Sequence, residues 1–133
     1  MRAEKAIRAQ LLVAGAVTSI VADRIWPAQL PQGTAYPALV ITHISTVPVP
    51  TIDAFSAFAL MRGRVQVTLL ANDYASLKAL LDVVMQACNF QRGTFNGVRV
   101  VSTTRDLIGP DLRDDDRSVY VQSVDFIVIH YEP

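Results

Sequence analysis

The feature that most constrains the fold is a strict alternation of apolar and polar residues in the middle of the chain. Between Arg64 and Leu69, Val and Leu residues alternate with Arg, Gln and Thr. A period of two predicts a β-strand with one buried and one wet face, which is typical of an antiparallel sheet covered on one side. We therefore expect a strand over residues 58–70 whose apolar face is covered by another layer.

Two other segments have the spacing of amphipathic helices. Apolar residues recur at helical intervals over residues 3–14 and again over residues 74–89. Asn72 or Asp73 is suited to cap the start of the second helix. On its polar side Lys78 and Asp82 stand four residues apart, a spacing that favours an ion pair within the helix. Residues 16–21 are compatible with a further short helical turn.

Three more segments are rich in β-branched residues and predict strands over residues 38–45, 98–105 and 118–131. Along residues 118–131 both odd and even positions are apolar, which indicates a bulge near Gln122 or burial on both faces. Helices and strands do not alternate regularly, so we do not expect a doubly wound sheet. We predict an α+β fold in a single domain over residues 1–133: a mostly antiparallel four-stranded sheet with two helices packed on one face.

The amino-acid composition of the chain argues against several classes of function. The 133 residues contain 12 Lys+Arg and 12 Asp+Glu, and this balance argues against a general nucleic-acid binder. Cys88 is the single cysteine, so an intrachain disulfide and a thiolate zinc site are excluded. Hydrophobic residues make up 51% and charged residues 18%, which favours an oligomer that hides apolar surface. We find neither a signal-peptide pattern nor an apolar segment long enough to span a membrane, and expect a soluble, cytoplasmic protein.

No motif for catalysis or phosphate binding is present, so we expect no catalytic residue, cofactor or metal site. An enzyme would have to use His43 or His130 with an aspartate, and both histidines fit a structural role better. The most conspicuous polar cluster is an acidic run interleaved with arginines. It fits a solvated loop, a divalent-cation site or a contact with a partner or the lumen of an assembly. Its members are Asp111, Arg113, Asp114, Asp115, Asp116 and Arg117.

A proline-interrupted stretch follows the first predicted strand. Because Pro48 and Pro50 cannot donate to a sheet ladder, this stretch must be an edge or a protruding arm. Exposing its apolar residues would be unfavourable for a monomer. We expect the arm either to pack on a neighbouring subunit or to fold back on its own sheet. The candidate subunit-interface residues are Val47, Val49, Ile52, Phe55 and Phe58.

In the order and spacing of several short segments, the chain resembles the small tail completion proteins of long-tailed bacteriophages. That family is related in fold to the siphophage tail terminators. The resemblance covers nearly the whole chain. Its matching stretches are residues 17–27, 30–33, 36–41 and 64–67, Tyr74 with residues 77–81, Asp125-Phe126 and Tyr131-Glu132.

The resemblance implies a structural virion protein of the tail or neck, assembled in the bacterial host cytoplasm. It implies a homo-oligomeric ring, commonly a hexamer, at the head-proximal end of the tail tube. Such a ring stops tube polymerisation, joins the tail to a head-completion or connector protein, and lets DNA pass without specific binding. Members also occur in prophages and gene transfer agents. The alternative left open is a small ligand-binding or regulatory module of prophage origin that uses the groove between helices and sheet.

Overall fold

A computed structural model describes residues 2–50 and 58–132 of the protein. The helices of the described chain are α1 (Ala3–Val13), α2 (Gly15–Val21) and α3 (Tyr74–Cys88). Its strands are β1 (Ile25–Pro27), β2 (Ala38–Pro48), β3 (Ala59–Ala71), β4 (Gln91–Phe95), β5 (Val98–Ile108), β6 (Leu112–Asp114) and β7 (Val119–Glu132).

The seven strands of the described residues form one sheet. Six follow the order β1-β2-β3-β7-β5-β4, and β6 lies off this path and pairs with β7. The short β1 runs parallel to β2, and every other pair is antiparallel. Strand β7 is central: β3 pairs with it along thirteen positions, from Ala59 opposite Glu132 to Ala71 opposite Tyr120. On its other side β5 pairs with residues up to His130, and β6 pairs with Val119–Val121.

The helices cover one face of the sheet, and the main core lies between the two layers. From β3 the apolar half of the alternating segment, Val65, Val67 and Leu69, is fully buried there. Opposite these residues Phe126 of β7 is also fully buried, and the helices contribute a stripe of Ala, Ile, Leu and Val side chains. The alternation therefore decides which face of the sheet the helices cover.

Helix α3 begins where the sequence predicts. Asp73 is in extended conformation, and its Oδ1 accepts a hydrogen bond of 2.8 Å from the backbone N–H of Ser76. This bond satisfies one of the free N–H groups at the helix start, and with the Ser76 hydroxyl it lowers the pKa of Asp73. The N-cap and the buried apolar stripe both indicate a helix that starts at residue 74. The observed helix therefore differs from the predicted residues 74–89 by one residue, at its end.

A small second cluster on the outer face explains why both faces of β7 are apolar at its start. Val40, Leu70 and Val119 are buried there under Leu30 and Tyr36 of the loop between β1 and β2. The register between β3 and β7 is continuous through residue 122. Burial on both faces, rather than a bulge against β3, is therefore the correct alternative.

The α+β class and the placement of helices on one face are confirmed, but the predicted count of four strands and two helices is incomplete. Helix α2 and strands β1, β4 and β6 are additional. Strands β1 and β6 have three residues each, too few for a periodic pattern. Strand β4 consists mostly of exposed polar residues, because it is an edge strand without a buried face. It is joined to β5 by a turn in which Asn96 and Gly97 have φ of 49° and 76°.

Candidate interaction surfaces

Neither histidine is placed for catalysis. His130 is fully buried, and its Nδ1 and Nε2 lie 3.2 Å from the carbonyl of Val128 and from Glu132 Oε1 respectively. His43 Nε2 lies 2.5 Å from the Thr46 hydroxyl on the same strand. In the described chain neither ring has both a nucleophile and an orienting carboxylate, so both histidines are structural in this fold.

The Cys88 thiol is also unsuited to chemistry. Its side chain is fully buried on the inner stripe of α3, and this desolvation raises the pKa of the thiol far above its ordinary range. A thiol that cannot ionise is a poor nucleophile and a poor metal ligand. Within residues 2–50 and 58–132, no group of three His, Cys, Asp or Glu side chains is close enough to hold a metal ion.

The acidic run is not a single loop. Asp111 turns towards α3, where its Oδ2 accepts hydrogen bonds from the Tyr74 hydroxyl at 2.9 Å and from Lys78 Nζ at 2.8 Å. These bonds lower the pKa of Asp111, with that from Lys78 the larger cause. Lys78 also donates to Gln122 Oε1 at 2.7 Å. Asp111 is thus a clamp between α3 and the segment that joins β5 to β6.

The remaining residues form an exposed turn between β6 and β7. Asp114 Oδ1 accepts from the backbone N–H groups of Asp116 and Arg117 at 3.1 and 3.3 Å. Arg117 and Arg113 pair with Asp114 and Asp115 at 3.3 and 3.4 Å. Asp116 and Asp115 are exposed, the latter with 91% of its side chain accessible. The arginines therefore neutralise part of the run, and the turn presents the remaining carboxylates to solvent.

The candidate arm begins at the edge of the sheet. Because β1 pairs only with residues 39–41, the rest of β2 up to Pro48 is an edge, as the prolines predict. Val47 and Phe58 are 48% and 52% exposed, whereas Val49 is half-buried and donates its N–H to the Leu60 carbonyl at 2.8 Å. The other two candidate interface residues, Ile52 and Phe55, lie outside the described residues.

The two candidate surfaces lie at opposite ends of the long strands. The exposed turn adjoins the start of β7, where Asp114 pairs with Val119. The described part of the arm adjoins the end of β7, where β3 begins with Ala59 opposite Glu132. The 14 residues of β7 span about 45 Å. Each molecule therefore carries two chemically different exposed surfaces, one charged and one with apolar side chains, that face different directions.

A family model described as tail completion protein gp17 matches residues 5–131. The chain belongs to this family. No curated protein sequence matches it. Among solved structures, a chain of the "Virion of native gene transfer agent (GTA) particle" is similar to it, with a TM-score of 0.71 and 13% sequence identity over 98% of this chain and 95% of that chain. At this identity the likeness shows a shared fold.

Membership of the tail completion family settles the class of protein. The family is one of structural phage tail proteins, so the chain is a structural virion protein and not an enzyme. A virion protein of this kind assembles with other virion proteins. None of the described helices has the length and apolar character needed to cross a membrane.

The geometry also bears on the ligand-binding alternative for this tail completion protein. The ligand-binding alternative requires a groove between helices and sheet, but this space is filled by fully buried side chains such as Ile7, Leu11 and Leu80. Open grooves lie on the outer face instead; one of about 410 Å³ runs between the loop after β1 and Arg117. Exposed Gln, Pro and Gly residues line it, without the convergent buried polar groups of an ordinary ligand site.

Sequence reasoning missed a polar cluster at the centre of the outer face. Arg64 Nη1 lies 2.5 Å from Asp106 Oδ2 and 3.1 Å from Asp125 Oδ2. The Asp106 hydrogen bond is the largest cause that raises the pKa of Arg64. Alternation indicates that Arg64 faces away from the core, but its partners come from β5 and β7, far along the chain. Only the strand order brings them together.

Proposed function

We propose that the chain is a tail completion or terminator subunit that forms a homo-oligomeric ring, with six copies as the expected number. The ring closes the head-proximal end of a phage tail tube. It stops tube polymerisation by covering the tube end, and it presents a surface for the head-completion or connector protein. DNA passes through the ring without specific binding. Prophages and gene transfer agents are possible sources of such a particle, besides free phages.

The observation that carries this proposal is the position of two unlike exposed surfaces at opposite ends of the sheet. A ring is a closed heterologous assembly, in which each subunit joins its neighbours through two different patches. An isologous dimer needs only one self-complementary patch. The turn with Asp115 and Asp116 and the arm with Val47 and Phe58 supply the two patches that a ring requires.

The arm is proposed as a subunit interface because it exposes apolar residues. Val47 lies on the outer face at the edge of the sheet, opposite Arg62, and about half of its side chain is accessible. Burial against a neighbour would remove this apolar surface from water, at about 25 cal/mol per Å². We propose Val47, Val49, Ile52, Phe55 and Phe58 as a subunit interface, and the turn from Asp111 to Arg117 as a contact with a partner or the lumen.

The test is the mass of the native protein by light scattering over a concentration series, with negative-stain imaging of any large species. A discrete ring near six copies supports the proposal. A chain that stays monomeric is then mixed with purified tail tubes. Capture at one end of each tube supports assembly on a template, whereas failure of both experiments contradicts the proposal.

A pair of variants tests the arm. Val47→Asn places a neutral polar side chain on the proposed interface and should weaken assembly, because burying an amide there without hydrogen-bond partners is costly. Val13→Asn is the matched control, since Val13 is 77% exposed at the end of α1, a helix that covers the other face of the sheet. Equal assembly by both variants, with the wild-type fold shown by circular dichroism, would contradict the role of the arm.

A further inference from the structure

The formal net charge of zero conceals a separation of charge along the strands. One half of the molecule, here called the basic half, lies beside residues 127–132 of β7. Helix α1 starts there, since Ala3 lies against Gly63 and the N–H of Arg2 bonds to Glu132. The β4–β5 turn lies there as well, because Val100 pairs with His130. Exposed cations of this half are Lys5, Arg8, Arg62, Arg92 and Arg99.

These five cations outnumber the carboxylates of the basic half within the described chain, which are Glu4 and Glu132. No carboxylate of residues 2–50 or 58–132 lies within ion-pair distance of Lys5, Arg8, Arg62 or Arg92. Arg99 stacks on the Tyr131 ring at 4.9 Å, which leaves its charge accessible. The basic half therefore has positive charge available for an outside partner.

The other half, here called the acidic half, lies beside residues 119–125 of β7. Three of its cations are held by ion pairs: Lys78 with Asp111, Arg113 with Asp115, and Arg117 with Asp114. A fourth, Arg24, donates to the carbonyls of Pro37 and Ile20. Arg64, opposite Ile127 at the boundary between the halves, is paired with Asp106 and Asp125. Carboxylates outnumber cations there, and Asp116 has no ion pair with any described residue. This half therefore has negative charge available.

We propose that copies of this chain join head to tail, with the basic half of one copy facing the acidic half of the next. The inference rests on the proposed ring and names its contact. Opposite charges attract across such an interface, whereas basic-to-basic and acidic-to-acidic contacts repel. Charge thereby disfavours the end-to-end contacts that place like halves together. An antiparallel dimer would also pair basic with acidic halves, and its mass of two copies distinguishes it from a ring.

A second copy fits both halves better than a nucleic acid does. Phosphate backbones would attract the basic half, but the acidic half of the same small molecule would repel them. In a head-to-tail assembly each basic half contacts the acidic half of the next copy, so both kinds of charge are neutralised by the same type of contact.

Charge exchange between two variants provides the test. The first variant, Asp115→Lys with Asp116→Lys, is basic in both halves. The second, Arg62→Glu with Arg92→Glu, is acidic in both halves. These side chains are exposed, so both variants should keep the wild-type fold. We expect each alone to associate about tenfold more weakly than wild type, and an equimolar mixture to regain association in alternating order.

Sedimentation velocity at about 0.1 M and about 1 M salt gives the readout, since the screening length falls from about 10 Å to about 3 Å. Gln86→Lys is the control and should behave as wild type, because Gln86 is exposed on α3 next to Met85, which contacts Arg105 opposite Phe126, between the two halves. The inference is supported if the mixture of the two variants assembles at about 0.1 M salt and loses this assembly at about 1 M salt.

Three results would overturn the inference. The first is a wild type that stays monomeric at low salt; capture by tail tubes would still sustain the proposed function. The second is a ring that forms equally well with either variant, which would keep the ring but assign its contact to other residues. The third is binding of duplex DNA that only the Arg62→Glu and Arg92→Glu variant loses while its rings persist, which would assign the cations to nucleic acid.

Discussion

At the scale of single residues, Gly63 is the position where a missing side chain matters most. A Cβ built on it would lie 2.7 Å from Ala3 Cβ and 3.3 Å from His130 Cε1. Ala3 is fixed by the helix and cannot move without α1. The glycine therefore sets how closely α1 approaches the sheet.

We expect Gly63→Ala to lower the free energy of unfolding by about 1–3 kcal/mol, the usual cost of overpacking. Thermal or urea unfolding measures the change. Gly15→Ala is the control, because no atom lies within 4 Å of a Cβ there and alanine favours the helix that begins at that residue. A Gly63→Ala variant as stable as the Gly15→Ala control would show that α1 shifts freely on the sheet.

Burial should also make Cys88 unreactive in the folded protein. We expect no reaction with an aromatic disulfide reagent under native conditions and full reaction in denaturant, because burial raises the pKa of the thiol and blocks access. A Gln86→Cys variant adds an exposed thiol to the same helix and should react at once. Rapid native reaction of Cys88 itself would mean that α3 opens from the sheet.

At the scale of elements, the clamp between Asp111 and α3 shows that a helix side chain can bond to residues that local spacing does not indicate. Spacing along α3 pairs Lys78 with Asp82, yet Lys78 bonds to Asp111 and Gln122 instead. Both partners come later in the chain, Asp111 from the segment between β5 and β6 and Gln122 from β7. An i, i+4 pair is worth only a few tenths of a kcal/mol, so tertiary partners readily replace it.

This clamp should make stability depend on pH in a definite direction. Because the pKa of Asp111 is lowered on folding, its contribution is present above the ordinary value of 3.8 and is lost as pH falls through the folded pKa. We expect Asp111→Asn to melt below wild type at neutral pH, with the difference vanishing in acid. Asp116→Asn is the control, since its carboxylate makes no bond with a described residue. A difference that persists at acid pH would assign the effect to something other than charge.

At the scale of the whole molecule, the sheet order predicts a gradient of local stability. Strands β3 and β7 are paired on both sides and covered by the helices, whereas β4 pairs only with β5. Amide hydrogen exchange at monomeric concentrations should be slowest around Val65–Leu69 and Val124–Val128. It should be fastest in β4 and in the three-residue β6. Slow exchange in β4 without assembly would contradict this order.

The class of fold and the family could both be predicted from the sequence alone. Alternation from Arg64 to Leu69 and the stripe of α3 fix a half-buried sheet under helices, because burial must match a period of two or of 3.6. The resemblance at residues 17–27 and 36–41 agrees with the family match over residues 5–131. Catalysis was excluded by missing motifs, and the family of structural tail proteins confirms it.

Tertiary structure decided what depends on residues far apart in the chain. The edge strand β4 and the short β1 and β6 carry too little burial for any pattern to reveal them. The pairing of Arg64 with Asp106 and Asp125 exists only because β5 and β7 lie beside β3. The placement of basic and acidic halves at opposite ends also follows from strand order and direction. Charge acts through space, and distance in space is set by the fold rather than by position along the chain.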